Sequence, residues 1–287
     1  MRYYKLTNSV VAIILFLYCQ IFPQEKSKSL LGEYDFEGAT LLKLSNSLKE
    51  ISGLALLNDN EILAHNDEEG IVYTLKILNL EMIGKLKIGD EKVQKDFEGI
   101  AFAGESVYMV TSSGVIFKFN HSMKSESTDF KMFKTSLKVE NDIEGLCYDK
   151  PTNSLLLACK NEPGMGNANS RAIYSFNLKK MSLERNPRFV ISLKELMQKY
   201  GFKDFAPSGI ERNPLNGNFF VLSSNPPSVV ELNPLGKIIA AVRLNPKVNP
   251  QSEGITFLND GTMLIADEGQ KKSGTITIVK LKSKNKK

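Results

Sequence analysis

Apolar and polar residues alternate along Ile71-Val72-Tyr73-Thr74-Leu75 and Val115-Ile116-Phe117-Lys118-Phe119 with a period of two, which is the period of a β-strand and not of a helix. Similar short apolar runs recur along the chain and are separated by turn chemistry. Asn58-Asp59-Asn60, Ala103-Gly104-Glu105, Lys150-Pro151-Thr152-Asn153, Asn213-Pro214-Leu215-Asn216-Gly217 and Asn259-Asp260-Gly261 each follow one apolar run and precede another. Before each turn, the run opens on a glycine with a small or acidic residue ahead of it. The five copies are Glu50-Ile51-Ser52-Gly53, Asp96-Phe97-Glu98-Gly99, Asp142-Ile143-Glu144-Gly145, Ala206-Pro207-Ser208-Gly209 and Gln251-Ser252-Glu253-Gly254. The glycines are spaced by 46, 46, 64 and 45 residues, a period expected of four-stranded propeller blades.

Each repeat predicts the same series of strands. The strand carrying the glycine is followed by Ile62–Ala64, Val107–Val110, Leu155–Leu157, Phe219–Leu222 or Met263–Ile265. Third strands are legible in four copies, at Ile71–Leu75, Val115–Phe119, Ala172–Phe176 and Thr275–Val279. Fourth strands are weaker, as at Met82–Leu86. The last repeat stops after its third strand, whereas Ala39–Leu44 precedes the first glycine motif with no blade of its own. The economical solution is an all-β, five-bladed β-propeller of four-stranded antiparallel blades, in which this N-terminal strand supplies the outer strand of the last blade. Six blades are the alternative, because the 64-residue interval has room for another element. It contains a polar loop over 161–170 and a short predicted helix over 193–200, both of which read as insertions. Asp35-Phe36-Glu37-Gly38 copies the motif, but no second-strand pattern follows it, so it is left out of any site.

The ends differ from the body. Arg2 and Lys5 precede an apolar run from Val10 to Tyr18, and polarity returns at Gln24. This is the pattern of a secretory signal. Residues 1–24 are therefore expected to be a signal peptide or N-terminal anchor, 30–281 the propeller, and 282–287 a basic disordered tail. An exported protein of the periplasm or cell envelope follows, with possible membrane attachment through its N-terminus. Cys19 follows Phe16-Leu17-Tyr18, a poor lipidation site. The net charge is +5, and the positive charge of the two ends more than accounts for it. The body between them is mildly acidic, which argues against nucleic acid as a partner. Cys147 and Cys159 flank a turn, and both a disulfide and two buried thiols fit that placement. With only His65 and His121 beside them, a zinc site of the usual kind is excluded. His65 reads as a structural side chain.

The acidic residues carry the candidate chemistry. Residues i and i+2 of a strand share a face, so Asp96 with Glu98, and Asp142 with Glu144, are expected to point together where blades converge on the channel. Glu50 and Glu253 extend the ring. A second acidic group ends second strands at Asp67 and Asp267. Carboxylates gathered at one mouth repel unless a cation intervenes, and an all-oxygen set favours Ca²⁺. The predicted metal residues are Glu98, Glu144, Glu253, Asp96, Asp142, Asp67 and Asp267. A structural reading stands beside this one: the glycine avoids crowding, and the carboxylate accepts hydrogen bonds from the neighbouring blade.

The ordered stretches EISGLALLNDNEILAHNDEEGIVYTL (50–75), KDFEGIAF (95–102), NDIEGLCYDKPTNSLLLACK (141–160), APSGIERNPLNGNFFVLSS (206–224) and QSEGITFLNDGTMLIADEG (251–269) resemble the SdiA-regulated (YjiK/CarP-type) β-propeller family over about Leu48 to Leu281. The resemblance implies an exported envelope propeller with calcium association and a phytase-like architecture, and no established reaction. The expected role is a ligand- or partner-binding module, monomeric, with an unknown ligand or envelope protein at the acidic mouth. The alternative is a calcium-dependent hydrolase, either a phytase-like phosphoesterase or a lactonase. A phosphoesterase would need a cluster of basic residues, and Lys95, Lys160 and Arg212 are only scattered beside the motifs. No nucleophile elbow or Ser/His/Asp arrangement is present, so the catalytic residues of such an enzyme are unknown.

Overall fold

Five small sheets, each opening on one glycine motif, make up the fold. The structure, a computed structural model, describes residues 28–161, 163–164 and 169–283. The predicted export segment and most of the basic tail lie outside the described residues. No described helix is long and apolar enough to cross a membrane.

In blades 1 to 4 the chain runs outward from the channel. Blade 1 comprises Ile51–Asn58, Glu61–Asn66, Ile71–Lys76 and Met82–Ile88, and blade 2 comprises Phe97–Ala103, Ser106–Thr111, Val115–Asn120 and Phe130–Lys134. Blade 3 begins with Ile143–Asp149, Ser154–Cys159 and Ser170–Asn177, and blade 4 comprises Pro207–Arg212, Phe219–Ser224, Pro227–Leu232 and Ile238–Arg243. Blade 5 has Ser252–Phe257, Met263–Asp267 and Thr275–Val279 from the C-terminal end, and Thr40–Lys43 as its fourth strand. That closing strand is antiparallel to Thr275–Val279, from Thr40 opposite Ile278 to Lys43 opposite Thr275. The ring is thus latched by both ends of the chain, as the orphan strand and the truncated last repeat required.

The alternative of a sixth blade finds no support among the described residues of the 64-residue interval. Ser170–Asn177 instead pairs with two short strands, Ser182–Leu183 and Phe189–Ser192, and the helix Leu193–Tyr200 follows. Ser192 caps the helix by accepting from the Glu195 backbone N–H at 3.2 Å, and Gly201 ends it at φ 72°. Leu196, Phe202 and Phe205 are driven into the core between blades 3 and 4, so the insertion thickens an existing interface. Blade 4 has a third strand that the sequence pattern did not reveal. It opens on Pro227 after Pro226, residues that ordinarily demote a run from strand to loop.

The core is divided among the five interfaces. One cluster joins blades 1 and 2 through Leu63, Val72, Phe97 and Phe117, and another joins blades 5 and 1 through Leu54, Ile62, Leu264 and Ile276. The remaining three fill the interfaces of blades 2 and 3, 3 and 4, and 4 and 5. Cys147 faces the blade 3–4 core and Cys159 the blade 2–3 core. Both are free thiols on opposite faces of one sheet, which resolves the disulfide question.

The N-terminal segment adds a polar latch. Glu231, fully buried, accepts from Ser29 Oγ (2.6 Å), the backbone N–H groups of Leu30 and Leu31 (3.2 and 3.0 Å), and the side-chain amides of Asn216 and Asn218 (2.9 and 2.7 Å). Tyr34 donates from its hydroxyl to the Gly261 carbonyl at 2.6 Å and accepts from Asn213 at 2.8 Å. These bonds hold residues 29–34 against blade 4 and the first turn of blade 5.

Candidate functional site at the acidic mouth

In every blade the register between the two innermost strands slips by one residue just before the motif glycine. The slips fall between Ile51 and Gly53, Phe97 and Gly99, Ile143 and Gly145, Pro207 and Gly209, and Ser252 and Gly254. Each is a β-bulge, so the extra residue is Ser52, Glu98, Glu144, Ser208 or Glu253. A bulge re-aims its side chain away from the regular pleat, and here Ser52, Glu98, Glu144 and Glu253 line one end of the channel, while buried Ser208 donates to the Ser252 carbonyl at 2.6 Å. The glycine after each bulge permits the inner strands to crowd together. A Cβ on Gly99 would come within 2.8 Å of Leu146 Cβ and 2.9 Å of its backbone nitrogen, and one on Gly145 within 3.0 Å of the Gly209 backbone.

Beneath the bulge residues, Leu54, Ile100, Leu146, Ile210 and Ile255 form a buried aliphatic collar. The space left at this level is about 10 Å³, at the lower limit for one water molecule. The collar therefore closes the channel and gives the glutamates an apolar floor. Above it opens a cavity of about 150 Å³ lined by Glu50, Asp67, Glu98, Glu144, Glu253 and Glu268, with Ser52, Gln251 and Lys160.

Burial raises the carboxyls of this cavity. Glu98 is pushed far up by loss of solvent, then by Glu144 and Asp96, while the Ser52 hydroxyl donating to Oε2 at 3.0 Å opposes the rise. Glu144 is raised by burial and partly restrained by Lys160, whose Nζ lies 2.9 Å from Oε1. Burial pushes Glu253 to about 8, with Glu144 adding to it, and Asp67 to about 6, with Glu50 adding to it. Burial opposes the charge of Lys160, but Glu144 raises its pKa overall. Two buried carboxylate oxygens in the cavity, Glu253 Oε2 and Asp67 Oδ1, have no hydrogen-bond partner.

Four of the sequence-predicted residues, Glu98, Glu144, Glu253 and Asp67, meet in this cavity. Asp96 and Asp142 stand outside its lining. Asp96 accepts from Ser112 Oγ at 2.5 Å, and Asp142 accepts from Asn161 at 2.8 Å, yet both still act electrostatically on Glu144.

Asp267 does not belong to the site. It is 1% exposed, tied to Asn249 (2.7 Å) and Ser252 Oγ (2.8 Å), and pushed by burial to about 6. The reason is register. The backbone N–H groups of Asp67, Ser112, Lys160 and Glu268 donate to the carbonyls of Glu50, Asp96, Asp142 and Gln251, respectively. Glu268 is therefore the counterpart of Asp67, and a shift of one residue turns Asp267 to the other face. Glu50, Glu268, Gln251 and Lys160 complete the lining. Their positions relative to each glycine were the available signal, once the bulge is counted.

His65 is fully buried, lowered to about 4 by burial, and bonded through Nδ1 to the Asn66 carbonyl at 2.8 Å. It is a neutral packing residue against Gly53. Lys160 is the lone basic side chain of the cavity lining among the described residues, and Arg212 lies at the opposite end of the channel. Among the described residues, no cluster of basic side chains lines this mouth.

The oxygen-only donors and the two partnerless carboxylate oxygens fit a hard divalent cation. As the side chains stand, no group of three Asp, Glu, His or Cys among the described residues is set to hold a metal. Coordination therefore requires the carboxylates to close in on the ion.

Similarity to solved structures is one of fold. Myxococcus xanthus glutaminyl cyclase superposes with a TM-score of 0.55 at 14% identity, over 85% of this chain and 96% of that chain. A luciferin-regenerating enzyme superposes at 0.52 with 10% identity, over 84% and 95%, respectively. A streptogramin B lyase superposes at 0.50 with 10% identity, over 88% and 100%. At these identities the likeness carries architecture alone. Curated protein sequences give no match. Residues 184–287, which span the outer edge of blade 3, blade 4 and the C-terminal strands of blade 5, match the SdiA-regulated family, the family that the five glycine motifs resemble.

Proposed function

We propose that the protein is an exported cell-envelope propeller whose acidic mouth binds Ca²⁺ and, through it, a ligand or partner protein. The observation that carries this reading is Glu253. Its side chain comes from a bulge, is 9% exposed, and leaves Oε2 buried without a partner among other carboxylates raised by burial. An uncompensated carboxylate over an apolar floor is costly, and a bound cation removes that cost. The basic and apolar pattern of residues 1–24 supports export and leaves both cleavage and membrane attachment open to the same protein. A monomer is expected.

Carboxylates must lose their protons to coordinate, so affinity should rise with pH across the range in which Glu144 and Glu253 titrate. Calorimetry with Ca²⁺ on chelator-treated protein at about pH 8 tests the reading. Heat of binding and a raised melting temperature are expected, both weakened by Glu98→Gln and by Glu253→Gln. Absence of both signals at millimolar calcium would remove the metal. Turnover of a phosphoester or lactone that chelation abolishes would convert the binding module into a calcium-dependent hydrolase.

A further inference from the structure

Lys160 breaks a pattern in the ring. It follows the second strand of blade 3, and its backbone N–H donates to the Asp142 carbonyl at 2.7 Å. The corresponding backbone bonds, to the carbonyls of Glu50 and Gln251, place Asp67 in blade 1 and Glu268 in blade 5. All three side chains line the acidic cavity. Blades 1 and 5 thus present a carboxyl group at this position, and blade 3 presents an ammonium.

The ammonium is held by a carboxylate of the site itself. Lys160 Nζ donates to Glu144 Oε1 at 2.9 Å, on a side chain that is 8% exposed. An ammonium has three donors, and Glu144 is its one partner among the described residues. The lysine side chain is 30% exposed, so a way out to solvent is open along its flexible stem.

The glutamates that a metal would draw on are therefore not equivalent. Glu144 Oε1 is held by Lys160, Glu98 Oε2 accepts from Ser52, and buried Glu253 Oε2 has no partner. Carboxylates gathered in a cavity need a positive charge among them even when no metal is bound. Lys160 supplies it.

We propose that Lys160 is a tethered counter-ion that sets the cation affinity of the mouth. Its ammonium holds the cation position in the metal-free protein, and a divalent cation enters by taking Glu144 from it. The inference rests on the calcium reading for the identity of the incoming ion, and not for the ammonium position. Exchange of this kind lowers apparent affinity by the fraction of molecules in which Glu144 is free. A charge-assisted bond of ordinary strength makes that fraction about one tenth or less.

Calorimetry with Ca²⁺ on the full, chelator-treated protein at about pH 8 compares wild type with Lys160→Met and Lys160→Arg. Lys160→Met keeps the stem and removes the charge, and should bind Ca²⁺ at least about tenfold more tightly. Lys160→Arg keeps a cation and should stay within about threefold of wild type. A second arm needs no calcium. In chelator, Lys160→Ala should melt below wild type. Propylammonium, which replaces the deleted atoms from Cγ to Nζ, should raise its melting temperature by about 2 °C or more. Tetramethylammonium, a cation without N–H donors, should not, and wild type should respond to neither. Rescue by propylammonium with no calcium heat in any of the proteins would remove the calcium reading and leave the tethered ammonium standing. Calcium binding at equal or lower affinity in folded Lys160→Met would overturn the tethered counter-ion and leave the calcium reading intact. Folded Lys160→Ala that responds no more to propylammonium than to tetramethylammonium would overturn it as well. If Lys160→Ala does not fold, the Lys160→Met comparison decides by itself.

Discussion

Replacing Glu253 with glutamine should stabilise the calcium-free protein at alkaline pH and leave it nearly unchanged at acid pH. Glu253 is pushed from an ordinary 4.5 to about 8 by burial on the aliphatic collar and by Glu144. The folded state therefore holds its proton over a range in which the unfolded chain releases it. Stability is complete below about pH 4.5 and is lost as pH rises through about 8. At ~1.4 kcal/mol for each tenfold change, the penalty is ~1 kcal/mol at pH 5, ~3 kcal/mol at pH 7 and ~5 kcal/mol at pH 8.5. Water entering the mouth and movement of Lys160 reduce these figures, so half of each is a reasonable expectation. Glutamine has no such ionisation. Urea unfolding of wild type and Glu253→Gln in chelator, at about pH 5 and pH 8.5, isolates the effect as a stability difference that grows with pH. Saturating calcium should flatten the wild-type slope, because the cation favours the ionised form. Parallel pH profiles for the two proteins in chelator would refute the account of a proton held by burial.

Glu231→Ala should release the N-terminal segment. Leu30, Leu31, Asn216 and Asn218 lose an acceptor at once, and a loss of ~3 kcal/mol is expected, read by denaturant unfolding together with faster amide exchange at Leu30 and Leu31. Gly99→Ala should cost ~1–3 kcal/mol by forcing blades 2 and 3 apart at Leu146. Gly32→Ala, where an added Cβ meets nothing within 4 Å, is the neutral control for the same melting experiment.

The architecture was legible in the chain because a propeller is written as a period. Five glycine motifs, a turn after each first strand and one orphan strand at the N-terminus suffice to predict five blades closed by Thr40–Lys43 against Thr275–Val279. The same pattern showed that Glu98, Glu144 and Glu253 occupy equivalent positions and must converge, since equivalent positions in a ring share one radius and one height. Tertiary structure decided what surrounds them. Asp96 and Asp142 do not join their glutamates in the cavity lining, although Glu50 and Gln251 at the equivalent positions do, because their carboxylates are bonded instead to Ser112 and Asn161. Hydrogen-bond register, and not the likeness of Asn66-Asp67-Glu68 to Ala266-Asp267-Glu268, makes Glu268 a lining residue and turns Asp267 away. Lys160 looked like one of several scattered basic residues and became the partner of Glu144 only when blade 3 folded beside the channel. The third strand of blade 4 was hidden by two prolines, and packing against its neighbours overrides that local signal. The identity and order of the strands are local and periodic properties, so they can be read from the chain. The protonation of the mouth depends on burial, which arises only when residues distant in sequence remove one another from water.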